Sequence, residues 1–198
     1  MCYSNFQTLV IVSSMNRDCK STRPIRVVLT GVENSGKSTL IKPLAKKLNW
    51  PYILELCREN EDVLNGNETF ETLLNLHKLN ESRVHELRVN TKSMGILCDT
   101  GPVVLDFWSK SVFGESIFNY DHEITKIEVD LYLLCSTIEE WEMDPIRVIP
   151  DYNTRVQIHR RFRGRLQELN LPFIEVPVMS TSERVEFIER EIKKRFHV

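Results

Sequence analysis

The segment Gly31-Val-Glu-Asn-Ser-Gly-Lys-Ser38, followed by Thr39, constrains this chain more than any other. It follows an apolar run, IRVVLT, and precedes a string of helix formers from Lys37 to Leu48. A strand, a glycine-bearing turn and a helix in that order gather backbone N–H groups and the positive end of a helix dipole around one point. The pattern GxxxxGK[ST] is complete, so the segment reads as a loop that cradles the phosphates of a nucleotide. Gly31, Glu33, Asn34, Ser35, Gly36, Lys37, Ser38 and Thr39 are the expected nucleotide-binding residues. Lys37 is placed to reach the β- and γ-phosphates of ATP, and Ser38 to offer its oxygen to Mg2+. The motif alone is silent on chemistry.

Around this loop, short β-rich runs recur between longer helical stretches. Residues 25–31, 51–56, 95–99, 130–135 and 172–177 read as five strands, several apolar on both faces, as in a parallel sheet covered by helices. Lys37–Leu48, Thr69–Thr91, Tyr152–Asn170 and Thr181–Phe196 read as helices. The last opens on a capping box, Ser180 with Glu183, and carries Val185, Ile188, Ile192 and Phe196 as a core-facing stripe. The expected fold is α/β, a three-layer P-loop NTPase fold with a five-stranded parallel sheet and right-handed crossovers. A chain of 198 residues fits one such domain. It is expected over residues 24–198, with a lid at about 141–165.

Composition removes several classes. The net charge is -2, with no overall basic excess to match nucleic acid or an anionic membrane. The basic cluster from Arg155 to Arg165 has only Phe162 interleaved among its charges, which does not favour a nucleic-acid surface. Five cysteines form no CxxC pair, and Cys98 and Cys135 lie in apolar runs, the pattern of reduced core thiols in a cytoplasmic protein. The five histidines lack metal-ligand spacing. No apolar run approaches the ~20 residues that span a bilayer. Residues 1–23 hold a short apolar patch, Leu9–Val12, without a basic leader. They read as a flexible extension or an added edge strand rather than a signal peptide.

Three uses of such a loop remain: a switch, a motor or a kinase. The chain has no Asn-Lys-x-Asp guanine reader, and Asp99 is followed by Thr100 instead of the water-activating Glu of many ATPases. Phosphoryl transfer to a small hydroxylated metabolite fits better. Asp99, ending the third strand, is expected to hold magnesium with Ser38, through water. Glu55, near the end of the second strand, is expected to orient or deprotonate the acceptor hydroxyl, with Asp99 as the second candidate. Arg58 and Glu59 extend that acceptor cluster. Arg147, in a loop bounded by Pro145 and Pro150, and Arg155 on the next helix are the expected lid cations. The catalytic set is thus Lys37, Glu55, Asp99, Arg147 and Arg155. A regulatory nucleotide-binding NTPase is the alternative.

With these residues assembled, the chain resembles the NadR-like P-loop kinase family, whose founding member is a nicotinamide riboside kinase domain. Its loop Gly-x-Glu-Ser-Ser-Gly-Lys-Ser/Thr is similar to GVENSGKS, Glu33 included. Its Glu-Tyr-x-Arg-Glu segment is similar to ELCRE at Glu55–Glu59. Its Asp-Thr-Asp is similar to DTG at Asp99–Gly101, and its Trp-x-x-Asp-x-x-Arg lid to WEMDPIR at Trp141, Asp144 and Arg147. The resemblance runs over about residues 25–196. It implies a P-loop kinase fold and ATP with magnesium, the family's named member phosphorylating a ribosyl hydroxyl. Leu56 and Gly101 depart from the pattern, where relatives carry Tyr and Asp.

Overall fold

The computed structural model describes residues 23–197. The expectation for the N-terminal extension lies outside the described residues, apart from Arg23, whose guanidinium is 2.8 Å from the Asp130 carboxylate. Five strands form one sheet: β1 (Ile25–Thr30), β2 (Tyr52–Ile53), β3 (Gly95–Asp99), β4 (Leu131–Cys135) and β5 (Phe173–Val176). Their order is β2-β3-β1-β4-β5 and all pairings are parallel. The helices are α1 (Lys37–Leu48), α2 (Glu61–Leu64), α3 (Phe70–Asn90), α4 (Pro102–Phe113), α5 (Asp121–Lys126), α6 (Tyr152–Glu168) and α7 (Thr181–Phe196).

Alternate residues of each strand face opposite layers, as the two-residue repeat of a strand requires. Val27, Leu29, Leu97, Leu131 and Leu133 pack with Leu40, Ile41 and Leu44 of α1 and with Val185, Ile188 and Ile192 of α7. On the other face, Val28, Ile96, Cys98, Tyr132 and Leu134 pack with Leu76 of α3, Leu105 of α4 and Phe162 of α6. The result is the three-layer α/β architecture expected, with β1 at its centre. No helix among the described residues is long and apolar enough to cross a membrane.

The differences from expectation cluster on one side. The second strand is two residues long instead of six: Leu56 turns away to bury itself against the α3–α4 layer, and Leu56–Glu59 form a 3-10 turn. Helix α4 was not foreseen. Its sequence PVVLDFW is rich in residues that favour strands, yet Pro102 stands at the first helical position, which suits its fixed φ and missing N–H. Apolar residues on most of its faces mark a buried helix. The short helices α2 and α5 were too brief for periodicity to reveal.

Arg26 is one of the charges that lie wholly inside. Arg26 of β1 has no exposed surface, and its guanidinium makes two 2.8 Å bonds to the Glu81 carboxylate on α3. Removing one member of such a pair strands the other in a medium that cannot solvate it. Glu81→Ala is expected to lower stability by about 2–3 kcal/mol in urea unfolding, the partial exposure of Glu81 placing it at the lower end of the range for buried pairs.

Candidate active site

The parallel sheet opens its carboxyl ends on one side, and β1, β2, β3 and β4 each release there a segment with a different chemical group. The loop after β1 turns at Gly31, whose φ is +130°. A Cβ there would lie 2.8 Å from the carbonyl oxygen of Cys135 on β4, so the position needs glycine for its backbone and for space. Asn34 also has a positive φ, of 55°. Ser35 closes the loop through its hydroxyl on the Val32 carbonyl at 2.7 Å. The Lys37 ammonium donates to the carbonyls of Gly31 and Val32, both at 3.0 Å. Ser38 and Thr39 are exposed on the first turn of α1.

Beneath the loop lies a cation that the sequence reading missed. Arg184 of α7 is buried, its Nη1 donates to the Ser35 carbonyl at 3.0 Å, and the same nitrogen is 2.7 Å from where a Cβ on Gly36 would stand. The signal was present: Arg184 shares the core-facing side of α7 with Val185 and Ile188. An arginine on an apolar stripe needs a polar partner inside.

Two carboxyls stand beside the loop. Asp99, at the end of β3, is 2% exposed, and neither carboxyl oxygen has a hydrogen-bond partner among the described residues. Burial pushes its pKa up to about 6; the nearby Glu55 carboxylate adds to that rise, while Lys37, Ser38 and Arg58 oppose it. Glu55 follows β2 and keeps both oxygens engaged, accepting from the Thr100 hydroxyl at 3.0 Å and from Arg58 Nε at 3.1 Å. Thr100 holds this contact with φ at +73°, a conformation that a β-branched residue rarely adopts. Its N–H is anchored on the Leu29 carbonyl at 3.1 Å.

The segment after β4 folds over this end as an irregular lid up to Asp151, which caps α6 by accepting from the Thr154 N–H. Glu33 of the phosphate loop accepts from the N–H groups of Val148 and Ile149. Asn34 donates to the carbonyls of Glu140, at 2.6 Å, and Ile138, at 3.4 Å. Arg147 reaches back and donates to Asn34 Oδ1 at 2.9 Å and to the Glu142 carbonyl at 2.6 Å, which brings a cation to the rim of the loop. Asp144 of the lid accepts from Arg58 Nη1 at 2.9 and 3.2 Å. Burial works to raise the Asp144 carboxyl, but the Ile146 N–H, Arg58 and Arg147 hold it below the usual carboxylate range.

A phosphate loop, a strand-end aspartate and an arginine-bearing lid on one parallel sheet can be compared with known proteins. The family described as an AAA domain matches residues 26–184. The chain belongs to this family. No curated protein matches the sequence. Among solved structures, this AAA-domain protein is similar to a NadR protein in complex with NR, with a TM-score of 0.69 at 19% identity over 88% of this chain. It spans only 50% of that chain. A deoxyadenosine kinase from M. mycoides with bound dATP gives a TM-score of 0.60 at 14% identity, covering 85% of this chain and 100% of that one. Thymidylate kinase from Candida albicans gives 0.52 at 14% identity, over 87% and 92%. At these identities the likeness establishes the fold.

Two residues of the AAA-domain protein stand apart from the places expected for them. Arg155 is fully buried and turned into the lid itself: its two Nη atoms donate to the carbonyls of Ile138, Glu139, Ile149 and Pro150, at 2.6–3.1 Å, and its guanidinium lies 4.8 Å from the Trp141 ring centre. Four carbonyls outcompete a position over the phosphate loop. Glu59 pairs with Arg83 on α3 at 3.1 Å, in solvent, and its side chain makes no hydrogen bond to Arg58 or Thr100, the partners of Glu55, among the described residues. From the same 3-10 turn, Arg58 bonds to Glu55 while Glu59 bonds to Arg83. Beyond Arg155, the basic cluster also finds local partners: His159 and Arg163 face Glu175, and Arg165 pairs with Asp121.

The departure at position 101 has a steric cause. A Cβ on Gly101 would lie 2.8 Å from Cγ1 of Val28. Gly101→Ala is expected to cost about 1–3 kcal/mol in urea unfolding, and Val28→Ala in the same chain to relieve that clash, so the double variant loses less than the sum of the two. The raised Asp99 carboxyl gives a second prediction. The folded protein keeps a proton there that the unfolded chain, with a value near 3.8, has released, so stability falls as pH rises from about 4 through about 6. Asp99→Asn is expected to stabilise the protein at pH 8 by on the order of 1–3 kcal/mol, with the gain shrinking toward pH 4, as read from urea midpoints.

Proposed function

We propose that this protein is a kinase that moves the γ-phosphoryl group of ATP to a hydroxyl of a small nucleoside-like metabolite. The observation that carries this reading is the pairing of two unlike carboxyls at one sheet end. Asp99 is buried without a hydrogen-bond partner beside the phosphate loop, and Glu55 is tied through Arg58 to the lid. A motor or switch needs the first but has no use for the second.

ATP lies along Gly31–Thr39 in this reading. Lys37 exchanges its contacts with the Gly31 and Val32 carbonyls for phosphate oxygens. The partnerless oxygens of Asp99 and the exposed Ser38 hydroxyl fit a hydrated magnesium ion, which when bound offsets charge on the phosphates. Glu55 orients the acceptor hydroxyl and takes its proton; Asp99 is the alternative base. Arg147, already at the loop rim, balances the negative charge of the transferring group. Arg155 serves by shaping the lid, which in this reading joins the irregular segment ending at Asp151 to most of α6, at about residues 141–165. The fold shared with a deoxyadenosine kinase and with a NadR protein in complex with NR supports a nucleoside-like acceptor. The buried free thiols Cys98 and Cys135 support a cytoplasmic setting.

Single-turnover reaction of ATP labelled at the γ-phosphate, with Mg2+ and a panel of nucleosides that includes nicotinamide riboside and deoxyadenosine, tests the reading. Label is expected on at least one nucleoside. Slow release of ADP that ignores every acceptor would sink the kinase assignment. Lys37→Ala is expected to slow transfer by about 100-fold or more, because no other cation on the loop reaches the same oxygens.

A further inference from the structure

Arg58 stands between two carboxylates on separate segments. Its Nε donates to Glu55 at 3.1 Å, and its Nη1 donates to both oxygens of Asp144, at 2.9 and 3.2 Å. The line continues at each end. Glu55 accepts from Thr100, and Asp144 has Arg147 Nη2 at 3.9 Å, while Arg147 Nη1 bonds to Asn34. Polar contacts thus run from the acceptor carboxylate through the lid to the phosphate loop.

We propose that Arg58 and Asp144 are positioning residues that register the lid against Glu55, so that the placement of Arg147 over the phosphate loop depends on the acceptor side. The catalytic consequence rests on the kinase reading above; the latch itself rests on geometry. Three observations carry it. Glu33 and Asn34 fasten the lid to the phosphate loop alone, whereas the Arg58–Asp144 pair is its hydrogen-bonded tie to the acceptor side among the described residues. The 3-10 turn sets Arg58 three residues after Glu55, with the Arg58 N–H on the Glu55 carbonyl at 3.2 Å, so backbone and side chain both join the two. The carboxylates are also sheltered, with side chains 15% exposed at Glu55 and 17% at Asp144 against 36% at Arg58, so the pairs are screened by solvent from the arginine side only.

An acceptor hydroxyl donating to Glu55 shares that carboxylate with Arg58, and any shift passes through one planar guanidinium to Asp144. A lid out of register leaves Arg147 displaced and admits water to the transferring phosphoryl group. The latch therefore governs how ATP divides between acceptor and water.

The test measures transfer and hydrolysis together, using ATP, Mg2+ and the nucleoside that takes most label. Asp144→Asn is expected to lower kcat for transfer by on the order of 10–100-fold, as small misplacements do, with KM for ATP within about threefold and a larger share of ATP lost to water. Asp144→Glu is expected to restore part of the transfer. The double variant Arg58→Met with Asp144→Asn is expected to be no worse than its more damaged single variant. A wild-type ratio of transfer to hydrolysis in folded Asp144→Asn, or losses that multiply in the double variant, would overturn the proposal. Should the unaltered protein label no nucleoside, the kinase reading fails and the latch is judged separately. Amide exchange at Val148 and Ile149 with ATP and Mg2+ must then be faster in Asp144→Asn; unchanged exchange rejects the latch.

Discussion

The parallel pairing of β1 with β3 and β4 is the constraint on which the site depends. Leu29 stands level with Asp99, and Thr30 with Leu134, so the turn at Gly31 starts where the neighbouring strands end. Because the strands share one direction, the phosphate loop, Asp99, Glu55 and the lid all emerge on the same side. Ligand sites of open α/β sheets form at such crevices because only there do loops from adjacent strands diverge. Gly31 carries the tightest part of this arrangement, its backbone lying against the Cys135 carbonyl.

Main-chain groups hold most of the site's charges. Lys37 rests on two carbonyls, Arg184 on the Ser35 carbonyl, and Arg155 on four more, while Glu33 is held by two N–H groups of the lid. A cation supported by carbonyl dipoles keeps its full charge, whereas one supported by a carboxylate is neutralised. Lys37 and Arg184 therefore bring unpaired positive charge to the loop, which suits a polyanion. Arg58 differs: it lies between Glu55 and Asp144, and its charge goes into joining segments.

Local pattern was enough to read part of this. The phosphate loop with α1, and the strand ending in Asp99, lie at the residues that their sequence indicates, because a complete motif or an unbroken buried run leaves few alternatives. The second strand was read too long, since apolarity alone does not tell Leu56 extended in a sheet from Leu56 turned under a helix. Side-chain destinations were harder still. Arg155 and Glu59 belong to polar clusters in sequence, yet their partners, lid carbonyls and Arg83, are chosen by tertiary geometry. The strained backbone of Thr100 gives no sequence signal, since threonine is an unfavourable residue for a positive φ.

The grip of Arg155 on both ends of the lid shapes how that segment moves. One guanidinium holds the carbonyls of Ile138 and Glu139 at the start and those of Ile149 and Pro150 at the finish, with Trp141 stacked against it. The lid is thereby a flap tied at its neck, and the chain between has already surrendered most of its freedom during folding. In the proposed kinase, closing such a flap would be a swing of a preformed body, with little disorder left to remove. Binding energy in that kinase would act on the reacting groups rather than on arranging the loop.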